Sequence, residues 1–409
     1  MNLCKVVCFT VLLLVAVTQA KKDRKCRRTD SAMRKKQSAE GSRYVKVVCK
    51  GKDLTTLNSD FLYETVIGPP PRTQDSSLTS GGIVHDAPME ITPIYHVTLE
   101  NSHIKNVQDG AFNAVPTLEV LNLKSNELSE IKRRTFEGLK LLKDLKLDRN
   151  QISSIEPSSF GQMRKLKYVT FSENLLQELN YFTFQGLKES NHLNIEYNNI
   201  SILNAGSFAA MPQLENLYLS YNKISRLDGG ILAGLRNLKY LFLSGNNIET
   251  ILNGAFKGNP KLEMLDLSNN LLTEITVKTF EGLLYIKRLS LRNNDLSYIE
   301  DGAFQGMPLL NELDLSHNAL TTISRGWFWG LINLQYFQIV SNEIEETAML
   351  PKEDDKFQSL VGALRMLCRM RGLHFADLKG NGIYDMIQRL EIEETGFDLK
   401  DSDKHSCIF

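Results

Sequence analysis

Residues 118–128 read LEVLNLKSNEL, and this stretch decides the fold. The same pattern returns as LKDLKLDRNQI at 142–152, LKYVTFSENLL at 166–176, LENLYLSYNKI at 214–224 and LKYLFLSGNNI at 238–248. It continues as LEMLDLSNNLL at 262–272, IKRLSLRNNDL at 286–296, LNELDLSHNAL at 310–320 and LQYFQIVSNEI at 334–344. Asparagine recurs every 24 residues, at Asn126, Asn150, Asn174, Asn198, Asn222, Asn246, Asn270, Asn294, Asn318 and Asn342. One period earlier, IYHVTLENSHI places Ser102 in that column. Ten residues beyond it runs a second column: Phe112, Phe136, Phe160, Phe184, Phe208, Leu232, Phe256, Phe280, Phe304 and Phe328. Eleven units pass without an insertion or deletion, a periodicity that marks a repeat architecture.

The columns follow from packing. In each LxL segment alternate side chains point to opposite faces, so the leucines go inward and the residues between them outward. One unit cannot bury its leucines alone, whereas stacked units share a continuous core. The chain leaves each short strand at the Asn column. An inward amide there, with both donor and acceptor, bonds backbone groups that would otherwise be unpaired. The Phe column packs beneath the outer side. These rules predict an α/β repeat solenoid: a curved horseshoe with a parallel β-sheet on the concave face and an irregular to helical convex side. Eleven strands at ~4.8 Å give an arc of roughly 50 Å. One face of that sheet stays open to solvent and invites a ligand.

The pattern LxxLxLxxNxL with a later Phe resembles the extracellular leucine-rich repeat family, in its 24-residue typical subclass. Toll-receptor ectodomains, small leucine-rich proteoglycans and insect adhesion and immune proteins are similar. The resemblance implies a non-enzymatic protein-binding module acting in immunity, adhesion or signalling. It is in register over 93–350, read as eleven repeats. VVCKGKDLTTL extends the register toward the N-terminus if Cys49 replaces a strand leucine and Lys52 the asparagine. That segment, within a basic leader and cap over 21–65, looks like the family's N-terminal cysteine cap, with one cysteine pair where the family usually has two. Between cap and repeats, residues 66–92 include GPPPRTQDSSLTSGG, too polar to pack: a projecting functional loop or a tolerated insertion. Residues 351–409 combine a helix expected over Lys356–Met370, a degenerate repeat LHFADLKGNGI and a C-terminal cap. The helix rests on Phe357, Leu360, Leu364 and Leu367 at helical spacing. The family's usual NPWxC cap signature is absent from this sequence.

Residues 1–20, MNLCKVVCFTVLLLVAVTQA, read as a signal peptide: Lys5 precedes an apolar run from Val6 to Val17, and Thr18-Gln19-Ala20 offers a cleavage site. The run is too short to span a bilayer, which needs about 20 residues, so a secreted, extracellular protein without a membrane span is expected. Cys26, Cys49, Cys368 and Cys407 remain, an even number for an oxidising compartment, with three pairings possible. Two lie near each end, making Cys26–Cys49 and Cys368–Cys407 the economical disulfides; Cys368 reads equally as a buried free thiol.

The 48 Lys and Arg balance 48 Asp and Glu, which argues against a nucleic-acid partner because phosphate affinity needs a basic footprint. Locally, Lys21 to Lys52 hold 13 basic and three acidic residues, a segment suited to sulfated glycans or to plain solvation. No nucleophile elbow, HExxH, P-loop or dinucleotide fingerprint occurs, and no cofactor is indicated. Asp266 and Asp314 fall two repeats apart, roughly 10 Å, and do not read as a glycosidase pair. DLKGNGIYDMIQ at 377–388 faintly matches a calcium loop, but Lys379 stands where a ligand belongs and Gln388 replaces the bidentate Glu. The repeat reading accounts better for those residues.

Outward strand positions carry the functional signal. Tyr218, Tyr240 and Phe242, with Met264 beside them and Tyr197 and Tyr221 just past their strands, form an aromatic centre expected to be exposed. Arg288 and Arg292 flank it. Anchors at the centre and charges at the rim fit protein-interface anatomy, so these eight residues are the expected partner-binding set, for a protein ligand or receptor. The bland reading is ordinary strand preference for aromatics. Asn199-Ile200-Ser201 is an N-glycosylation sequon beside the patch. Two further readings stay open: a matrix component binding glycans through the basic segment, or a soluble antagonist of a receptor ligand.

Overall fold

The structure is a computed structural model and describes residues 25–31, 44–50, 55–62, 94–344, 355–370 and 372–382. The expected signal peptide, the 66–92 segment, Cys407 and the region after Gly382 lie outside the described residues. Two compact units comprise residues 1–174 and 175–409.

In the first unit the sheet runs, in spatial order, Lys25–Ser31, Tyr44–Lys50, Ile94–Thr98, Val120–Asn122, Asp144–Lys146 and Tyr168–Thr170. The first two strands are antiparallel and set the Cα of Cys26 opposite that of Cys49. Every later pairing in this unit is parallel. Tyr44–Lys50 meets Ile94–Thr98 with Val47 against Val97, the 50-residue offset that separates Lys52 from Ser102.

In the second unit the sheet order is His192–Asn194, Asn216–Tyr218, Tyr240–Phe242, Met264–Asp266, Arg288–Ser290, Glu312–Asp314, Tyr336–Gln338 and Phe375–Asp377, all parallel. Each unit is therefore a parallel-strand solenoid with few helices. The inward leucines Leu217, Leu241, Leu265 and Leu313 are wholly buried. Burying each is worth about 1.5–3 kcal/mol, which is what sets the strand register.

The Asn column does the work its chemistry suggests. Asn222 Oδ1 accepts from the Ile200 N–H at 3.0 Å, while its Nδ2 donates to the carbonyls of Ile195 and Leu219, each at 3.0 Å. Asn126 does the same in the first unit, with Leu99 and Leu123 as acceptors. In the degenerate C-terminal repeat, Asn381 bonds Ile339 O, Leu378 O and the Asn342 N–H. Its amide belongs to this ladder, which removes it from the calcium-loop reading. The residue before each column position turns left-handed, with φ between 52° and 71° from Asn101 to Gly380.

Curvature is visible in ring spacing. Sheet strands sit ~4.8 Å apart, but stacked rings of the Phe column are spaced 6.3 Å in the first unit, at Phe112–Phe136 and Phe136–Phe160. In the second unit Phe184–Phe208, Phe256–Phe280 and Phe280–Phe304 lie 6.1, 6.3 and 6.2 Å apart. Successive turns thus spread away from the sheet, and each unit bends with its sheet on the inner side. A continuous outer ladder cannot bridge the wider spacing. Outer strands accordingly pair only two by two, as Arg226–Leu227 with Thr250–Ile251 and Glu274–Ile275 with Tyr298–Ile299.

The helix Asp355–Arg369 starts one residue before and ends one before the expected span and packs against the short 3-10 turn Arg325–Phe328. Leu360, Ala363 and Leu367 form its buried stripe.

Candidate partner-binding face

Strand alternation turns Tyr218 and Phe242 out of the second unit's sheet on adjacent strands, in direct register. Their rings stack at 4.7 Å and 8°, close to parallel, and His192 leans on Tyr218 at 5.0 Å and 44°. The tight inner spacing forces this contact: side chains on the inner side of the bend meet face to face. Phe242 is consequently half-buried, as are Tyr218, Tyr240 and Met264. This corrects the expectation of an exposed phenylalanine, because each ring covers its neighbour. Burial pushes the Tyr218 phenol above the ordinary tyrosine range, helped by the Glu196 carboxylate and by Tyr240.

Tyr197 and Tyr221 form a second stack at the turn edge, 4.4 Å apart at 8°, and both are about half exposed, 50% and 47%. They occupy left-handed turn positions, φ 53° and 57°, unusual for bulky side chains. The next turn has Gly245 at φ 68°, where an added Cβ would sit 2.7 Å from the Tyr221 ring. Glycine there lets Tyr221 lie flat against the backbone.

The charges around this face fall into two kinds. Along the edge where each strand begins, Lys239 bonds Glu215 at 3.0 Å and Lys287 bonds Glu263 at 2.8 Å. Glu215 and, through space, Glu263 raise the Lys239 pKa, so the edge is a self-neutralised ladder. On the sheet itself, Glu196, Asp266, Arg288, Arg292, Glu312 and Asp314 make no ion pair among the described residues. Arg288 and Glu312 stand in register on neighbouring strands and still do not pair. Asp266 and Asp314 cap the backbone N–H groups of Ser268 and Ser316 at 2.9 Å, and Asn194 donates to Glu196 at 3.2 Å.

All eight expected binding residues therefore lie in one unit: four aromatics in two stacks, Tyr240 and Met264 half-buried in register with each other on neighbouring strands, and two exposed cations. Asn199, the sequon asparagine, is half-buried immediately after the column residue, two positions from Tyr197. Sequence reasoning missed the edge ladder, whose signal is a Glu/Lys alternation at a spacing of 24. It also missed a third column, in which Ser159 and Ser207 hydroxyls donate to the carbonyls of Ile131 and Leu179. Trp327 takes that place in a later turn, its ring N–H donating to Ile299 O at 3.0 Å. Exposed Leu284, Tyr285 and Ile332 on the outer side were not anticipated either.

The leucine-rich repeat family profile matches residues 92–152, 141–200, 176–224, 191–248, 212–272, 236–285 and 285–344, more than half of the chain. No curated protein sequence matches it. Among solved structures, TLR13 in complex with ssRNA13 is 26% identical with a TM-score of 0.61, covering 71% of this chain and 44% of that one. Toll, in the glycosylated Toll–Spatzle complex of Drosophila, is 21% identical with a TM-score of 0.62, covering 74% of this chain and 39% of that one. A chain of the mouse RP105/MD-1 complex is 22% identical with a TM-score of 0.55, covering 73% and 53% respectively. The chain spans less than half of the TLR13 and Toll chains it matches. Parallel sheet, Asn ladder and profile agree: this chain belongs to the leucine-rich repeat family and resembles Toll ectodomains in fold.

Proposed function

We propose that the protein is exported and recognises a protein ligand or receptor through the inner sheet face of its second unit, centred on Tyr218 and Phe242. The observation that carries this is the pre-stacked aromatic pair amid charges that make no ion pair among the described residues. Rings already held in place lose little freedom on binding, and centrally placed aromatics supply most of an interface's energy. Tyr197, Tyr221, Tyr240 and Met264 extend the apolar centre; Arg288 and Arg292 supply the rim.

Export is supported by the composition of residues 1–20 and by the cap hairpin. Directly opposed residues of an antiparallel pair have Cα atoms about 4.5–5.5 Å apart, within the range a disulfide bridges, so the backbone register supports a Cys26–Cys49 disulfide in an oxidising compartment. Among the described residues no helix is long and apolar enough to cross a membrane. Asn199, two positions from Tyr197, is the proposed glycan site, and a glycan there would border the patch. The Toll structure captures a protein complex described as a hub in development and innate immunity, which supports a role in immune recognition, adhesion or signalling here.

Expression of the full chain in animal cells tests both parts. The protein should appear in the medium, lose mass with a glycosidase, and crosslink to a partner in native extracellular fluid. Retention inside the cell contradicts export; equal crosslinking by a Tyr218→Ala/Phe242→Ala variant moves the site elsewhere.

A further inference from the structure

We infer that the partner segment received by this face is basic: it places one cationic side chain beside Glu196 and a second, arginine by preference, beside Asp266 next to the Phe242 ring. This rests on the proposed face and specifies its ligand chemistry. Glu196 and Asp266 bracket the aromatic pair at its two ends. Glu196 follows the His192–Asn194 strand, and Asp266 stands in register with Phe242. The two carboxylates are negative, as is the Phe242 ring face turned away from Tyr218, and none of the described cations reaches either carboxylate as an ion pair. The Arg288 guanidinium, one strand beyond Asp266, is exposed yet leaves it unpaired. At Asp266 a guanidinium answers both features: its edge forks to the carboxylate, and its plane packs on the Phe242 face turned away from Tyr218.

Geometry sets the spacing. Glu196 and Asp266 are three strand steps and two residue positions apart, roughly 16 Å at ~4.8 Å per strand and ~3.3 Å per residue. An extended segment running across the strands reaches from one to the other with basic residues five apart. Beyond Asp266 the face changes sign at Arg288 and Arg292 and changes back at Glu312 and Asp314. The complementary segment therefore reads basic, apolar, basic, then acidic. A polyanion meets carboxylates on both sides of the aromatic pair, which is the opposite of what phosphate contacts require.

The test uses the full chain with three probes in parallel: a hexa-arginine peptide, a hexaglutamate peptide and a single-stranded oligoribonucleotide, each titrated by calorimetry at low and physiological salt. Hexa-arginine should bind, weaken at the higher salt, and lose at least tenfold in affinity in the Glu196→Gln/Asp266→Asn variant. The Glu215→Gln/Lys239→Met edge variant should bind it as the native chain does. Preference for hexaglutamate or RNA, or unchanged hexa-arginine binding in the Glu196/Asp266 variant, overturns the basic-partner inference. If instead the native partner binds the Tyr218→Ala/Phe242→Ala variant normally, it is the face itself that was misplaced.

Discussion

The second unit stacks aromatic rings in two places, and the spacing separates their roles. Phe184 and Phe208, on the wide side of the bend, lie 6.1 Å apart and are fully buried. Tyr218 and Phe242, on the narrow side, lie 4.7 Å apart and present their edges to solvent. On the wide side a ring fills volume that successive turns open between them, so it belongs to stability. On the narrow side rings touch because the turns converge, and they are held in place without being enclosed. The repeat thus yields a buried structural stack and a half-exposed one, on which the proposed interface is centred.

The largest effect that would break this comparison is at the wide side. Phe208→Ala should destabilise the fold by about 3–5 kcal/mol in chemical denaturation, the cost of an unfilled core cavity. Tyr218→Ala on the narrow side should cost under about 1 kcal/mol, since the ring is only half-buried. Equal losses at both positions would erase the distinction.

Next comes the ladder that holds successive turns together. Asn222→Ala leaves the Ile200 N–H and the Ile195 and Leu219 carbonyls without their amide partner. About 2–4 kcal/mol of stability should go, read from the denaturant midpoint, since each unsatisfied buried group costs about 1–3 kcal/mol and some relaxation follows.

A smaller and more local change sharpens the recognition side. Gly245→Ala drives a Cβ into the Tyr221 ring at 2.7 Å and strains a left-handed residue. Stability should fall by about 1 kcal/mol, while partner affinity falls further because the Tyr197–Tyr221 stack opens. Loss of stability without loss of affinity would remove those tyrosines from the interface.

The smallest effect concerns ionisation. Tyr218, its phenol held above the ordinary range by burial, should titrate as a late step, above the ordinary tyrosine range, in a phenolate absorbance titration. A raised native pKa favours the protonated form. Its contribution to stability is therefore complete below the ordinary tyrosine pKa and is lost as pH rises through the native one. Tyr218→Phe should remove that late step in the titration.

Most of the frame was legible in the sequence, because a period of 24 shows in any column with a strict physical requirement. Asn126 to Asn342 must supply an inward amide, and Phe112 to Phe328 must fill the outer spread. The face was legible only in part. Alternation says that Phe242 points outward, but not that Tyr218 lies on it, since ring contact depends on how far the turns converge. Tyr197 and Tyr221 could be placed beyond their strands, yet their stacking depends on a left-handed turn and on Gly245 beneath. Pairing was the least legible: Lys239 and Arg288 each have an acid one repeat away, Glu215 and Glu312, and only side-chain geometry shows that the first is paired and the second is not. Trp327 stands in the column of Ser159 and Ser207, which the sequence alone does not reveal, because its ring N–H substitutes there for a hydroxyl.

The most direct test measures the affinity of the Tyr218→Ala/Phe242→Ala variant for the native partner alongside its thermal midpoint. If the narrow-side stack is for recognition, binding falls about a hundredfold or more and the midpoint stays within a few degrees of the native value. Native affinity in a variant that melts normally would contradict the account.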